Sequence, residues 1–313
     1  MRLVRHAVVP FSLVPFSLVT FALVALLVPR AGAQDAPEYG PPTGSLVIVG
    51  GGGLAGTGVM ERFIELAGGP GKRFVIVPTA GGNRAADGTL ISYKEEEVVA
   101  QWKARGIADV RMLHTHDPKV ADTEAFAKLV READAVWFNG GRQWNIVDSY
   151  AGTRTYTAFH DLLARGGVIA GSSAGATIQG SYLVRGATAG PQIMMTDEPT
   201  HQNGFAFLRR SAIDQHIDAR NRWDDLVPVI ARFPDLLGIG LSEGTAIVVQ
   251  RDRFEVIGRW KVAVHDNTRP VQPWEKSWFV LGAGDVYDMK ARRVVSYGTA
   301  RRPAAPTAAR PRP

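Results

Sequence analysis

The chain has 313 residues, of which 45% are hydrophobic and 21% charged, which excludes a disordered or fibrous protein and leaves room for one large globular domain or two small ones. Cysteine is absent, which excludes a disulfide scaffold, a thiolate nucleophile and any cysteine-ligated zinc or iron–sulfur site. The formal net charge of +6 sits at the ends: Arg2, Arg5 and Arg30 near the start and Arg301, Arg302, Arg310 and Arg312 near the finish, with no acid beside them. The remainder is nearly neutral and carries no nucleic-acid footprint.

At the N-terminus, Arg2 and Arg5 precede an apolar run from Ala7 to Val28, and Ala31-Gly32-Ala33 offers a small-x-small cleavage site before Gln34. The run is long enough to span a bilayer. Pro10, Pro15 and the cleavage site favour instead a cleaved signal peptide over residues 1–33. The mature protein would then be periplasmic or secreted, with no stable membrane anchor. Residues 34–43 read as a linker, 44–299 as the folded domain, and the Pro/Ala/Arg stretch 300–313 as a disordered tail that cannot build a core.

Inside the domain, continuous apolar runs alternate with helical patterns. Strands are expected at Leu46–Val49, Arg73–Val77, Val110–Leu113, Ala135–Phe138 and Val168–Ala170, and helices at Gly58–Leu66, Glu95–Ala104, Asp122–Arg131 and Thr155–Ala164. Such alternation predicts an α/β fold, doubly wound on a mostly parallel sheet. After Leu237–Leu241 the pattern changes to hairpins, read as antiparallel strands appended at a sheet edge. In a fold of this class the chemistry belongs at the carboxyl ends of the parallel strands.

The first strand ends in Gly50-Gly51-Gly52-Gly53, which with Gly56 contains G-x-G-x-x-G. The second strand ends in Pro78-Thr79, where a dinucleotide site would need an acid, so the glycines read as a tight turn and no nucleotide or other cofactor is expected. His114 and His116 after the third strand lack an obvious further metal ligand and read as surface or capping residues. The fourth strand ends in Gly140-Gly141-Arg142-Gln143, a turn whose N–H groups could form half of an oxyanion hole.

The fifth strand carries the strongest signal. Gly171, Ser173 and Gly175 form G-x-S-x-G between a strand and small residues able to start a helix, an elbow that would hold the serine hydroxyl above the sheet. Ser172 lies one place off it. A serine needs a base, and the base an orienting group. His216, among charged neighbours in DQHIDARNR, is favoured over His201 in the polar loop EPTHQNG, a loop expected to move freely. For the acid, Glu243 in GIGLSEGTA is costly to bury unless paired and is preferred, with Asp197 and Glu198 as alternatives.

With FNGGRQ at 138–143, GSSAGAT at 171–177, DQH at 214–216 followed by ARNR, and GIGLSEGTA at 238–246, the chain resembles the serine peptidase family of cyanophycinase and aspartyl dipeptidase over about residues 44–266. That family has a fold like the class I glutamine amidotransferases. The resemblance implies a serine exopeptidase without cofactor or metal, acting on a peptide or polymer substrate such as cyanophycin. Ser173 matches its nucleophile and His216 its base, and Glu243 matches the acid of the dipeptidase. Gly140, Gly141 and Ala174 would supply the oxyanion N–H groups. Gln143, Asp214, Gln215, Arg220 and Arg222 match the cyanophycinase pocket, and Asp225 stands where the family pattern suggests a third arginine. Arg220 and Arg222 would take a substrate carboxylate, and Asp214 or Asp225 a guanidinium. The alternatives are a related peptidase for other aspartyl or isoaspartyl peptides, and a binding protein on the same scaffold. The resemblance allows a homodimer, which no residue pattern here shows.

Overall fold

The computed structural model describes residues 36–298, apart from 83, 85–87, 90 and 273. The expected signal peptide and C-terminal tail therefore lie outside the described residues. Among those described, no helix is long and apolar enough to cross a membrane.

The expected parallel strands form as β1 (Ser45–Val49), β2 (Phe74–Val77), β3 (Val110–Met112), β4 (Ala135–Phe138) and β5 (Val168–Ser172), side by side in the order β1-β5-β4-β2-β3. Four of the five are buried along their whole length or nearly so, which is why they read as unbroken apolar runs rather than as alternation. Successive side chains still point to opposite faces. Leu46, Ile48, Val75, Val77, Val136, Phe138 and Ile169 join one core, while Val47, Val49, Phe74, Ile76, Trp137, Val168 and Ala170 join another.

Helices cover both faces. Helices α1 (Val59–Leu66) and α2 (Glu95–Lys103) bring Phe63 and Trp102 to the second core, where Phe63 lies edge-on to Phe74 at 5.5 Å and to Trp102 at 5.9 Å. After the short α3 (Pro118–Ala121), helices α4 (Glu124–Arg131), α5 (Gln143–Tyr150) and α6 (Arg154–Ala164) cover the other face. The hydroxyls of Thr123 and Thr153 accept the N–H groups of Phe126 and Tyr156 and so define where α4 and α6 begin.

The later part of the chain is richer than a set of hairpins at an edge. After α7 (Ala174–Thr177) come β6 (Gly180–Tyr182), β7 (Leu208–Gln215), α8 (Val227–Arg232) and β8 (Leu237–Leu241). They are followed by β9 (Thr245–Gln250), β10 (Arg253–Gly258), β11 (Lys261–His265), β12 (Trp278–Gly282), β13 (Val286–Asp288) and β14 (Arg293–Ser296). Four of these extend the main sheet in the order β14-β13-β10-β9, with β9 antiparallel to β1, as expected. The other five form a separate sheet, β12-β11-β8-β7-β6, whose β6, β7 and β8 are parallel. That sheet was hidden by the polarity of β7, LRRSAIDQ. Its Ser211 and Asp214 are fully buried because Ser211 donates to the Leu208 carbonyl and Asp214 is paired with an arginine.

Residues 36–43 are no free linker. Tyr39 is buried and its N–H donates to Asp252, Gly40 donates to the Arg251 carbonyl, and the Arg209 guanidinium donates to the carbonyls of Pro37, Glu38 and Gly40.

Phe63→Ala would leave a cavity between sheet and helices and should cost about 3–5 kcal/mol. A denaturation midpoint lowered accordingly, with unchanged slope, is the expected result of chemical unfolding.

Candidate active site

Three turns meet at one point. Ser173 directly follows β5 and precedes α7, with φ 58° and ψ −115°, a conformation rare for any residue with a Cβ. It is held there by the backbone: its N–H donates to the Val49 carbonyl at 3.0 Å, and its carbonyl accepts the N–H of Ala176 at 2.9 Å and of Thr177 at 3.1 Å. A Cβ on Gly175 would collide with the Phe138 carbonyl, so the second glycine of G-x-S-x-G is what lets β4 approach the elbow.

His216 follows β7 in the second sheet, also at positive φ (57°), and its N–H donates to the Gly50 carbonyl at 3.0 Å. The imidazole Nε2 lies 2.9 Å from Ser173 Oγ, and Nδ1 lies 2.5 Å from Glu243 Oε1. With the proton on Nδ1 donating to the carboxylate, Nε2 is the acceptor for the serine hydroxyl. Glu243 occupies the turn between β8 and β9, fixed by its N–H donating to Asp218 Oδ1 at 2.9 Å. The first glycine run supports the pair. Gly51 has φ 108°, and a Cβ there would strike the His216 ring; one on Gly52 would meet the Glu243 side chain. The expected tight turn is present, and what approaches its backbone is the imidazole and the carboxylate.

Burial lowers the His216 pKa below its ordinary value of 6.5. The hydrogen bond to Glu243 opposes this, and the nearby charges of Arg220 and Arg222 lower it further. The imidazole is therefore neutral at neutral pH, the form able to accept a proton.

Gly140 lies against the serine: a Cβ on it would sit 3.2 Å from Ser173 Cβ and 3.6 Å from Oγ. Among the described residues, the N–H groups of Gly140, Gly141 and Ala174 donate to no other group. A cavity of about 350 Å³ opens over Ser173, lined by Gly141, Arg142, Gln143, Gln215, Arg220 and Arg222 among others. Gln143 is buried, its amide donating to the carbonyls of Val184 at 2.8 Å and Arg185 at 2.7 Å.

Asp214 is placed differently from the expectation. It is fully buried, and its two carboxylate oxygens accept Nε and Nη2 of Arg185 at 2.8 and 2.9 Å. Arg185 Nη2 also reaches Asp225 at 2.5 Å, and Nη1 donates to the Pro191 carbonyl at 2.6 Å. Both carboxylates expected to receive a substrate guanidinium thus already hold one from the chain. Arg185, a lone arginine in LVRGATAG, gave no sequence signal.

The rejected candidates also have defined places. His201 does not move freely: it is buried, with Nε2 2.7 Å from Asp148 and Nδ1 2.8 Å from Glu198. Glu198 is thereby taken up, together with Thr188, and Asp197 is exposed. His114 and His116 are half-buried rather than superficial. Nδ1 of His114 pairs with Thr79, which also bonds Tyr150, and burial with the neighbouring His116 holds the His114 pKa at about 4.

A serine at a strand–helix elbow on a doubly wound sheet, with an imidazole and a carboxylate behind it, defines a class of serine-type hydrolases. Comparison with known proteins places the chain within that class: residues 46–257 match the model of peptidase family S51, and the chain belongs to that family. It is a serine-type peptidase. It is 26% identical over 268 residues to the cyanophycinase of Geminocystis herdmanii, covering 80% of this chain and 95% of that one. It is 27% identical over 218 residues to the cyanophycinase of Trichormus variabilis, covering 68% and 70%. A solved peptidase from an acI-B1 Actinobacterium superposes with a TM-score of 0.59 at 23% identity, over 80% of this chain and 98% of that one, and shares the fold.

An NMR titration of the His216 ring should give a midpoint below 6.5. In Arg220→Gln the midpoint should rise, because removing a neighbouring positive charge favours the imidazolium. A midpoint above 6.5 in the unaltered protein, or one that falls in the variant, would contradict this electrostatic picture.

Proposed function

We propose that this peptidase hydrolyses the backbone of cyanophycin, a polyaspartate whose side chains carry arginine in isopeptide linkage, and releases β-Asp-Arg dipeptides. Ser173 is the nucleophile, His216 the general base and Glu243 the group that orients it. The observation that carries the reading is the continuous chain of contacts from Ser173 Oγ through His216 to Glu243, at 2.9 and 2.5 Å, opening into a cavity that Arg220 and Arg222 make cationic. The similarity to curated cyanophycinases supports the choice of polymer.

His216 Nε2 takes the Ser173 proton as Oγ adds to the carbonyl carbon of an aspartyl residue. The negative oxygen so formed is received by the N–H of Ala174 and that of Gly140 or Gly141. His216 returns the proton to the departing amine as the C–N bond breaks, leaving an acyl-enzyme. Water, giving its proton to the same nitrogen, then cleaves the ester and frees Ser173. Arg220 and Arg222 take substrate carboxylate, the natural partner of a guanidinium.

A second reading is favoured by one observation. Asp214 and Asp225 are both held by Arg185, so neither is free to receive an arginyl side chain. This suits peptides whose aspartyl residues bear no arginine. Export rests on the N-terminal sequence: residues 1–33 carry the signal-peptide pattern and lie outside the described residues.

The test is incubation of residues 34–313 with insoluble cyanophycin, with the soluble products identified by mass. Release of Asp-Arg dipeptide is expected, reduced at least about 10⁴-fold in Ser173→Ala with the fold intact. Undiminished release by the variant would overturn the mechanism. No release from cyanophycin, with hydrolysis of plain aspartyl peptides, would select the second reading.

A further inference from the structure

Three arginines and no acidic residue are among the residues that line the cavity over Ser173. Arg220 and Arg222 come from the loop after His216, whereas Arg142 comes from the end of another strand, between Gly141 and Gln143 at the start of α5. The nearby acids already have partners: Asp214 and Asp225 hold Arg185, Asp214 also lies 4.0 Å from Arg222 Nη1, and Glu243 holds His216. Arg142 is exposed and has no carboxylate partner among the described residues. Its backbone N–H is fixed to the Ala80 carbonyl at 2.6 Å, and its guanidinium lies over the Trp144 ring at 5.7 Å from the centroid. Stacking on an indole face leaves the N–H edges of a guanidinium available, which is the geometry for accepting a carboxylate in two hydrogen bonds. Gln215, which also lines the cavity, has a buried Oε1 without a hydrogen-bond partner.

We infer that Arg142 is a specificity-determining residue that holds a second carboxylate carried on a substrate side chain, so that the site selects peptides with free side-chain carboxylates on two neighbouring residues over those with one. The inference rests on the proposed peptidase site and adds a requirement on what enters it. Two sources supply this chemistry: the α-carboxylates of successive arginyl branches in cyanophycin, or the side chains of successive plain aspartates.

The experiment measures binding to Ser173→Ala protein by calorimetry and turnover by the enzyme with Ser173 intact, each on two substrate pairs. One pair is Asp-Asp against Asp-Asn. The other is a two-unit β-Asp-Arg oligomer against the same oligomer with one arginyl carboxylate amidated. The expected preference for the member with two side-chain carboxylates is about tenfold, in the range of one charge-assisted hydrogen-bonded contact at a partly solvated site. The pair that shows it identifies the source. Arg142→Gln should bring the ratio close to one, Arg142→Lys should keep part of it, and added salt should shrink it. A ratio unchanged in Arg142→Gln, an equal weakening of both members, or no binding of either pair would overturn the inference. Selective binding lost in Arg142→Gln, without turnover of any substrate, would uphold Arg142 and sink the peptidase role of the site.

Discussion

The contact between Ser173 and His216 joins the ends of strands that belong to two different sheets, and the rest of the site depends on it. Each residue stands at positive φ at the close of its strand, so neither side chain would reach the other from ordinary extended backbone. Both are held where β1 ends: the Val49 carbonyl takes the N–H of Ser173 and the carbonyl of Gly50, the next residue, takes that of His216. The glycine turn after β1 thus sets the spacing of the pair, and its lack of side chains leaves room for the imidazole and the Glu243 carboxylate. Strain of this kind persists only where surrounding hydrogen bonds over-determine it.

Electrostatics then divide the region in two. Behind the cavity, Asp214, Arg185 and Asp225 form a compact ion cluster. Asp214 is fully buried and Arg185 nearly so, and such charges are tolerable only because each is paired and hydrogen-bonded. In front, Arg142 and Arg220 line the cavity together with Arg222, whose Nη1 donates to the Gln215 carbonyl at 3.4 Å and lies 4.0 Å from Asp214. The two halves are linked through β7, which carries Asp214 and Gln215 and leads directly into His216. Burial lowers the pKa of the imidazole, and the charges of Arg220 and Arg222 lower it further.

Much of this was legible in the chain. The parallel strands showed because strands covered on both faces become unbroken apolar runs, and the elbow showed because only glycine fits where the Phe138 carbonyl passes Gly175. Glu243 could be preferred because a carboxylate among Gly, Leu and Ile is costly unless paired, and it lies against His216. The second sheet was not legible, because β7 mixes charge with apolar residues and its polarity is compensated only by long-range partners. Arg185 was invisible for the same reason: its partners lie 29 and 40 residues away. The supposed freedom of His201 failed in part for that reason, since Asp148 lies 53 residues away, although Glu198 lies only three residues from it in the same loop.

The central claim is that Ser173, made nucleophilic by His216, is the reactive group. The most direct measurement is the rate and site of labelling by a serine-directed fluorophosphonate, followed by peptide mapping. One adduct per chain on Ser173, with labelling lost in His216→Ala and slowed in Glu243→Gln, is the predicted result. An adduct on Ser172, or labelling of Ser173 that proceeds unchanged without His216, would contradict the claim.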